Sequence, residues 1–208
     1  MQRGVRPFLL LLLVVGAPGC GVTQVVDKAH DGTPILIRAP QPDEGDIKSL
    51  STRYGVQTVV NLRGEQHGER WFEEERRAVE RIGARWVQLR TSGKSEPPPE
   101  SVEQFFALVE DPANWPIVLH CQGGIHRTGL WAALYRIQYQ GWSPERAIAE
   151  MEDLYFDWSI TDREALKRWL RRYRRDPDRQ VARAGGRTTT VAAASPPAPD
   201  PGPAPSAP

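Results

Sequence analysis

Residues 116–129 read Pro116-Ile117-Val118-Leu119-His120-Cys121-Gln122-Gly123-Gly124-Ile125-His126-Arg127-Thr128-Gly129, an apolar strand that passes through a short polar loop into a helix. Cys121 is followed by five residues and then Arg127. With a helix starting near Arg127 or Thr128, the intervening backbone can curl so that several amide N–H groups converge on one point, where the helix dipole adds positive potential. Gly123 and Gly124 allow the tight turn and a close approach to a ligand. Such a cradle takes a tetrahedral oxyanion and favours the thiolate of Cys121 over its thiol. Arg127 contributes a planar fork for two of the anion's oxygens.

Outward from this loop the pattern alternates strand and helix. Upstream, Thr33 to Ala39 and Gln57 to Leu62 are short apolar runs suited to buried strands, and Arg85 to Leu89 is a third. Between them, Asp43 opens an amphipathic helix with Ile47, Leu50 and Tyr54 that Gly55 stops, and a highly charged helix runs from about Glu69 to Ile82. After Pro97-Pro98-Pro99, the residues Val102, Phe105, Phe106 and Val109 recur at helical spacing. Downstream the chain reads as wholly helical: Leu130, Trp131, Ala132, Ala133, Leu134 and Ile137 make a helix apolar almost all round, Ser143-Pro144 starts a second helix, and a third from Thr161 sets Leu166, Trp169, Leu170 and Tyr173 on one face. Its other face is a basic stripe of Arg163, Lys167, Arg168, Arg171, Arg172, Arg174 and Arg175, read as a solvated surface. The expected fold is α/β: a small central, mostly parallel sheet flanked by helices, with an all-helical C-terminal half.

The chain has 208 residues, with 27 Lys plus Arg against 26 Asp plus Glu, and this near-neutral balance argues against a nucleic-acid binder. Two cysteines, Cys20 and Cys121, cannot form a disulfide scaffold. The four histidines, His30, His67, His120 and His126, show no metal-ligand spacing, and no cofactor is implied. Near the start, Arg3 and Arg6 precede an apolar run from Phe8 to Val15 that is too short to span a bilayer, the layout of a secretory signal. Gly19-Cys20 after it resembles a bacterial lipoprotein cleavage site, in which Cys20 would carry the lipid and tie an exported protein to a membrane; the alternative is an ordinary signal peptide with an incidental cysteine and a soluble secreted protein. The far end, with Pro196, Pro197, Pro199, Pro201, Pro203, Pro205 and Pro208, has no apolar side chains to offset chain entropy. The expected division is a signal peptide over 1–19, a linker over 20–32, one domain over 33–175 and a disordered tail over 176–208.

His120, Cys121, Arg127 and Thr128, with Gly124 between them, resemble the signature of the cysteine-dependent protein tyrosine and dual-specificity phosphatases. Arg38-Ala39-Pro40-Gln41-Pro42, Val59 to Glu65 and the run Gly124 to Gly129 are similar to the compact atypical dual-specificity phosphatases of bacteria, fungi and plants. The resemblance implies an exported phosphomonoester hydrolase. In it the Cys121 thiolate attacks phosphorus while Gln122, Gly123, Gly124, Ile125, His126 and Arg127 form the phosphate loop. Thr128 assists departure of the sulfur, and His120 supports the loop from behind. Asn61 and Arg63 are candidates for lining the site, with turn chemistry at a strand end as the equal alternative. The family's upstream aspartate is absent from residues 88–100, where Glu96 and Glu100 are the carboxylates present and Asp157 is a more distant candidate. Two other readings compete. An inositol polyphosphate phosphatase commonly has lysines where this loop has Gln122 and Ile125, and a phosphate-binding module would keep the Arg127 cradle without a competent acid.

Overall fold

The computed structural model describes residues 23–153 and 164–181. Five strands form one sheet: β1 (Gln24–Lys28), β2 (Pro34–Ala39), β3 (Thr58–Asn61), β4 (Arg85–Gln88) and β5 (Ile117–His120), in the spatial order β1-β2-β5-β3-β4. Only the β1–β2 pairing is antiparallel; β2, β5, β3 and β4 are parallel to their neighbours. Register aligns Ala39, His120, Asn61 and Gln88 at the C-terminal ends of the four parallel strands. That row forms the edge from which loops project, the usual place for a site in an open α/β sheet.

The helices are α1 (Glu44–Tyr54), α2 (Arg70–Arg81), α3 (Pro99–Glu110), α4 (His126–Gln140), α5 (Pro144–Asp153) and α6 (Glu164–Arg172). Alternating strand residues divide the core between the two sheet faces. Ile37, Val59 and Val118 pack with Ile47 of α1 and with Ala78 and Val79 of α2. Leu36, Val60 and Leu119 pack on the other face with Phe105 of α3, Trp131 of α4, Ile148 of α5 and Leu166 of α6. At the ends of α1, Asp43 and Asp46 form a reciprocal capping box, and Gly55 closes the helix in the left-handed region at φ 69°. The Ser143 hydroxyl accepts from the Arg146 N–H at 3.2 Å at the start of α5.

Two boundaries differ from the sequence reading. The segment 20–32 was expected to be a linker, but Gln24–Lys28 is edge strand β1. Only Val26 of that strand is buried, and its register with β2 shifts twice, so no apolar run announces it. The tail was expected from residue 176, yet Asp176 to Val181 is docked. The Asp176 N–H donates to Gln138 Oε1 at 3.0 Å, Arg179 pairs with Glu103 and Glu110, and Val181 is buried. The basic stripe is exposed, as read from the sequence, at Arg168, Arg171, Arg172, Arg174 and Arg175, with Lys167 as the exception. Lys167 is buried and paired with Glu152 at 2.5 Å, and Arg172 pairs with Glu96 at 2.6 Å. Arg163, Thr161, Asp157 and Cys20 lie outside the described residues.

Candidate active site

Strand β5 delivers His120 to the C-terminal edge of the sheet, and Cys121 follows it at the base of the loop with only 3% of its surface exposed. Gly124 sits at φ 68°, and a Cβ there would come within 2.7 Å of the Pro40 nitrogen, so both the backbone angle and the space demand glycine. Ile125 occupies the position before α4, and no side chain caps the helix there. The amides of its first turn are therefore left for the sulfur and for an incoming anion.

Arg38, buried in β2, holds the loop from below. Its Nη2 donates to the Gly124 carbonyl at 2.9 Å and to the Ile125 carbonyl at 3.5 Å. Drawing these carbonyls beneath the loop accompanies amides that turn toward its centre. A second tie joins the Gln41 N–H to the Gln122 carbonyl at 3.0 Å.

The Cys121 thiol is subject to opposing effects. Burial pushes its pKa up, but the Thr128 hydroxyl and amide, the Arg127 guanidinium and the Gly124 amide outweigh burial and hold it below the ordinary thiol value. The buried Thr128 Oγ1 completes no hydrogen bond of full geometry at rest, so its influence is that of a hydroxyl close enough to the sulfur to favour the thiolate. Arg127 is half-buried, and its Nη1 donates to the Leu62 carbonyl at 3.3 Å.

Behind the loop lies a polar cluster that sequence reasoning only partly anticipated. His120 is fully buried, with Nε2 3.0 Å from Glu75 Oε1 and Nδ1 3.4 Å from the Cys121 carbonyl. Glu75, on α2, also accepts from Trp86 Nε1 at 2.6 Å and from Gln41 Nε2 at 2.5 Å. Burial alone raises the Glu75 pKa, but the bond and charge of His120 and the bonds from Gln41 and Trp86 bring it below the ordinary carboxylate value. The signal for Glu75 was available: it stands three residues after Phe72 and four before Val79, on the buried face of α2. Glu75, Gln41, Arg38 and Trp71 had no individual role in the sequence reading.

The remaining candidates separate. Arg63 reaches the rim, with Nη1 donating to Gln41 Oε1 at 2.8 Å and its guanidinium carbon 3.4 Å from the Trp71 ring centroid. Asn61 is built into the turn: it accepts from the Arg63 N–H at 2.8 Å and donates to Gln88 Oε1 at 2.9 Å. Gln122 and Gly123 are exposed, while Ile125 and His126 are half-buried. Glu96 pairs with Arg172, and Glu100 is exposed in the first turn of α3; no hydrogen bond or ion pair joins either to the loop among the described residues.

The family described as "DSP-PTPase phosphatase fused to NAD+ Kinase" matches residues 24–168. The dual specificity protein phosphatase TpbA of Pseudomonas aeruginosa is 30% identical over 120 residues, covering 58% of this chain and 51% of TpbA. The crystal structure of a TpbA variant in complex with phosphotyrosine aligns at 26% identity with a TM-score of 0.54, covering 74% of this chain and 90% of that one. The inositol diphosphatase SIW14 of Saccharomyces cerevisiae is 28% identical over 112 residues, 52% of this chain and 38% of SIW14. The SIW14 catalytic core shares the fold with a TM-score of 0.59 at 21% identity, covering 74% of this chain and 86% of that core. The aligned stretch thus spans about half the length of TpbA and less of SIW14. A cysteine and arginine brought together by a loop at the start of α4, within a match that runs almost from β1 to α6, place this chain in the atypical dual-specificity branch of the cysteine-dependent phosphatases, and it belongs to that family.

Proposed function

We propose that this protein hydrolyses phosphomonoesters of the dual-specificity protein phosphatase type through a phosphocysteine intermediate. The feature that carries this reading is Cys121 at the base of the loop that leads to Arg127 and the uncapped start of α4, where Thr128, Arg127 and Gly124 hold its thiol below the ordinary value. In the first step the sulfur lone pair attacks phosphorus, an S–P bond forms and the P–O ester bond breaks. The leaving oxygen takes a proton from a general acid. Arg127 and the loop amides hold the equatorial oxygens as charge develops. Water then attacks phosphorus, the S–P bond breaks, and inorganic phosphate leaves while Thr128 stabilises the departing thiolate.

For the proton donor, Glu100 is the first residue to test, because Glu96 is engaged by Arg172. Similarity to TpbA, whose structure holds phosphotyrosine, supports a phosphorylated protein as substrate, and similarity to an inositol diphosphatase supports a small phosphorylated molecule as the second reading. Export and membrane attachment through a lipidated Cys20 complete the reading, supported by the N-terminal sequence pattern. They predict that Cys20→Ala makes the protein soluble or leaves it unprocessed, read by fractionation and by the mass of the mature terminus.

The test is turnover of an aryl phosphate by purified protein beside Cys121→Ser. The serine variant is expected to lose turnover while binding inorganic phosphate, since the loop amides and Arg127 remain. A wild-type protein that binds phosphate but turns over neither aryl nor alkyl phosphates is a binding module.

A further inference from the structure

Arg63 is gripped from two sides by groups that carry no charge. The Gln41 amide oxygen accepts from Nη1 at 2.8 Å, and the Trp71 ring lies against the guanidinium with its centroid 3.4 Å from Cζ. Gln41 is itself oriented: its Nε2 donates to Glu75 at 2.5 Å, which turns its oxygen toward Arg63. Glu75 is occupied by donors from Gln41, Trp86 and His120, and no carboxylate forms an ion pair with Arg63 among the described residues. The neighbouring cation is Arg127. Burial and the charge of Arg127 together hold the Arg63 pKa below the ordinary arginine value, with partial relief from Glu75, Cys121 and Glu69. Arg127 Nη1 donates to the carbonyl of Leu62, the residue before Arg63, at 3.3 Å, so the turn that carries Arg63 lies directly against the arginine of the Cys121 loop. The donors that Arg63 does not spend on Gln41 remain for another anion.

We propose that Arg63 is a second anion-binding residue, fixed at the rim by Gln41 and Trp71, that receives a phosphate or carboxylate carried by the substrate beside its scissile phosphate. This rests on the phosphatase reading of the Cys121 loop. It makes the protein selective for substrates with two neighbouring acidic groups over isolated monoesters, and it assigns that selectivity to a side chain outside the loop.

A pair of non-hydrolysable probes tests it: methylphosphonate, with one acidic group, and methylenediphosphonate, with two, their affinities measured by calorimetry on the full chain. Wild-type protein should bind the bisphosphonate about 10-fold or more tighter, the range expected for a charge-assisted hydrogen bond. Arg63→Gln should reduce that ratio by about 10-fold. Trp71→Leu removes no charge and should lower the ratio in the same direction, thermal unfolding confirming that it folds. Arg90→Gln, which removes a charge from the side chain packed over Gly64 of the same turn, should leave the ratio within about 2-fold. Equal affinity for both probes in the wild type, an unchanged ratio in Arg63→Gln or Trp71→Leu, or an equal drop in Arg90→Gln would each overturn the proposal. If the ratios behave as expected but no phosphomonoester is turned over, the subsite stands and the hydrolase reading falls. Turnover without any bisphosphonate preference gives the reverse.

Discussion

At the scale of single residues, the roles proposed for Cys121 and Thr128 can be tested by titration. Burial opposes the thiolate, and Thr128 is foremost among the groups that overcome it, with Arg127 and Gly124 beside it. A thiol held below its ordinary value is ionised at lower pH, so the acid limb of the kcat/KM profile should lie below that of an unperturbed cysteine. Thr128→Ala is expected to move this limb toward higher pH and to slow iodoacetamide alkylation at neutral pH several-fold, because less thiolate is present at each pH. An unshifted limb would remove Thr128 from this role. The cysteine, arginine and threonine were all legible in sequence, since fixed residue types at fixed offsets define the loop. Arg38 and Gln41 were visible only as part of a segment, because what they do depends on contacts with Gly124 and Glu75 far along the chain.

At the scale of elements, the four parallel strands and the six α-helices of the described residues followed from apolar runs, helical spacing and caps such as Asp43, Gly55 and Ser143. Strand β1 did not, since an antiparallel edge strand with one buried residue has neither a continuous apolar run nor regular alternation. Helix α2 conceals its key residue among the charges around it: Glu73 and Glu74 serve the surface, while Glu75 is only 2% exposed and couples the helix to β5 through His120. Glu75→Gln keeps the volume but presents an amide N–H₂ to partners that are all donors. Removing one side of a buried charged cluster costs about 3 kcal/mol or more. Because the folded-state pKa of Glu75 is depressed, its stabilisation is present above the unfolded carboxylate value of about 4.3 and is lost as pH falls through the folded value. The stability gap between wild type and Glu75→Gln, from urea unfolding, should therefore be widest near neutrality and narrow in acid. A gap that stays constant into strong acid would mean that the charge of Glu75 contributes nothing.

At the scale of the whole molecule, the sheet places the loop, the Arg63 turn and the start of α3 as separate contributions to one end of the fold, and the acid remains the test of how they cooperate. A general acid matters most for a poor leaving group, such as a serine or inositol alkoxide, and least for an activated phenolate. Glu100→Gln should slow alkyl phosphates by about 100-fold while sparing an activated aryl phosphate. Glu96→Gln, which also breaks the exposed pair with Arg172, provides the comparison from the loop just before α3. Small, equal effects of both on both substrates would pass the role to Asp157. The acid was not legible in sequence because residues 88–100 hold no aspartate, and nothing in their spacing separates Glu96 from Glu100.

The most direct test of the account is acid quenching of the wild-type protein during turnover of an aryl phosphate, followed by mass spectrometry of the peptide that contains Cys121. One phosphoryl group is expected on Cys121 in the pre-steady state, absent from Cys121→Ser and accumulating in Thr128→Ala as sulfur departure slows. Sustained turnover with no phosphoryl group on Cys121, or undiminished turnover by Cys121→Ser, would contradict it.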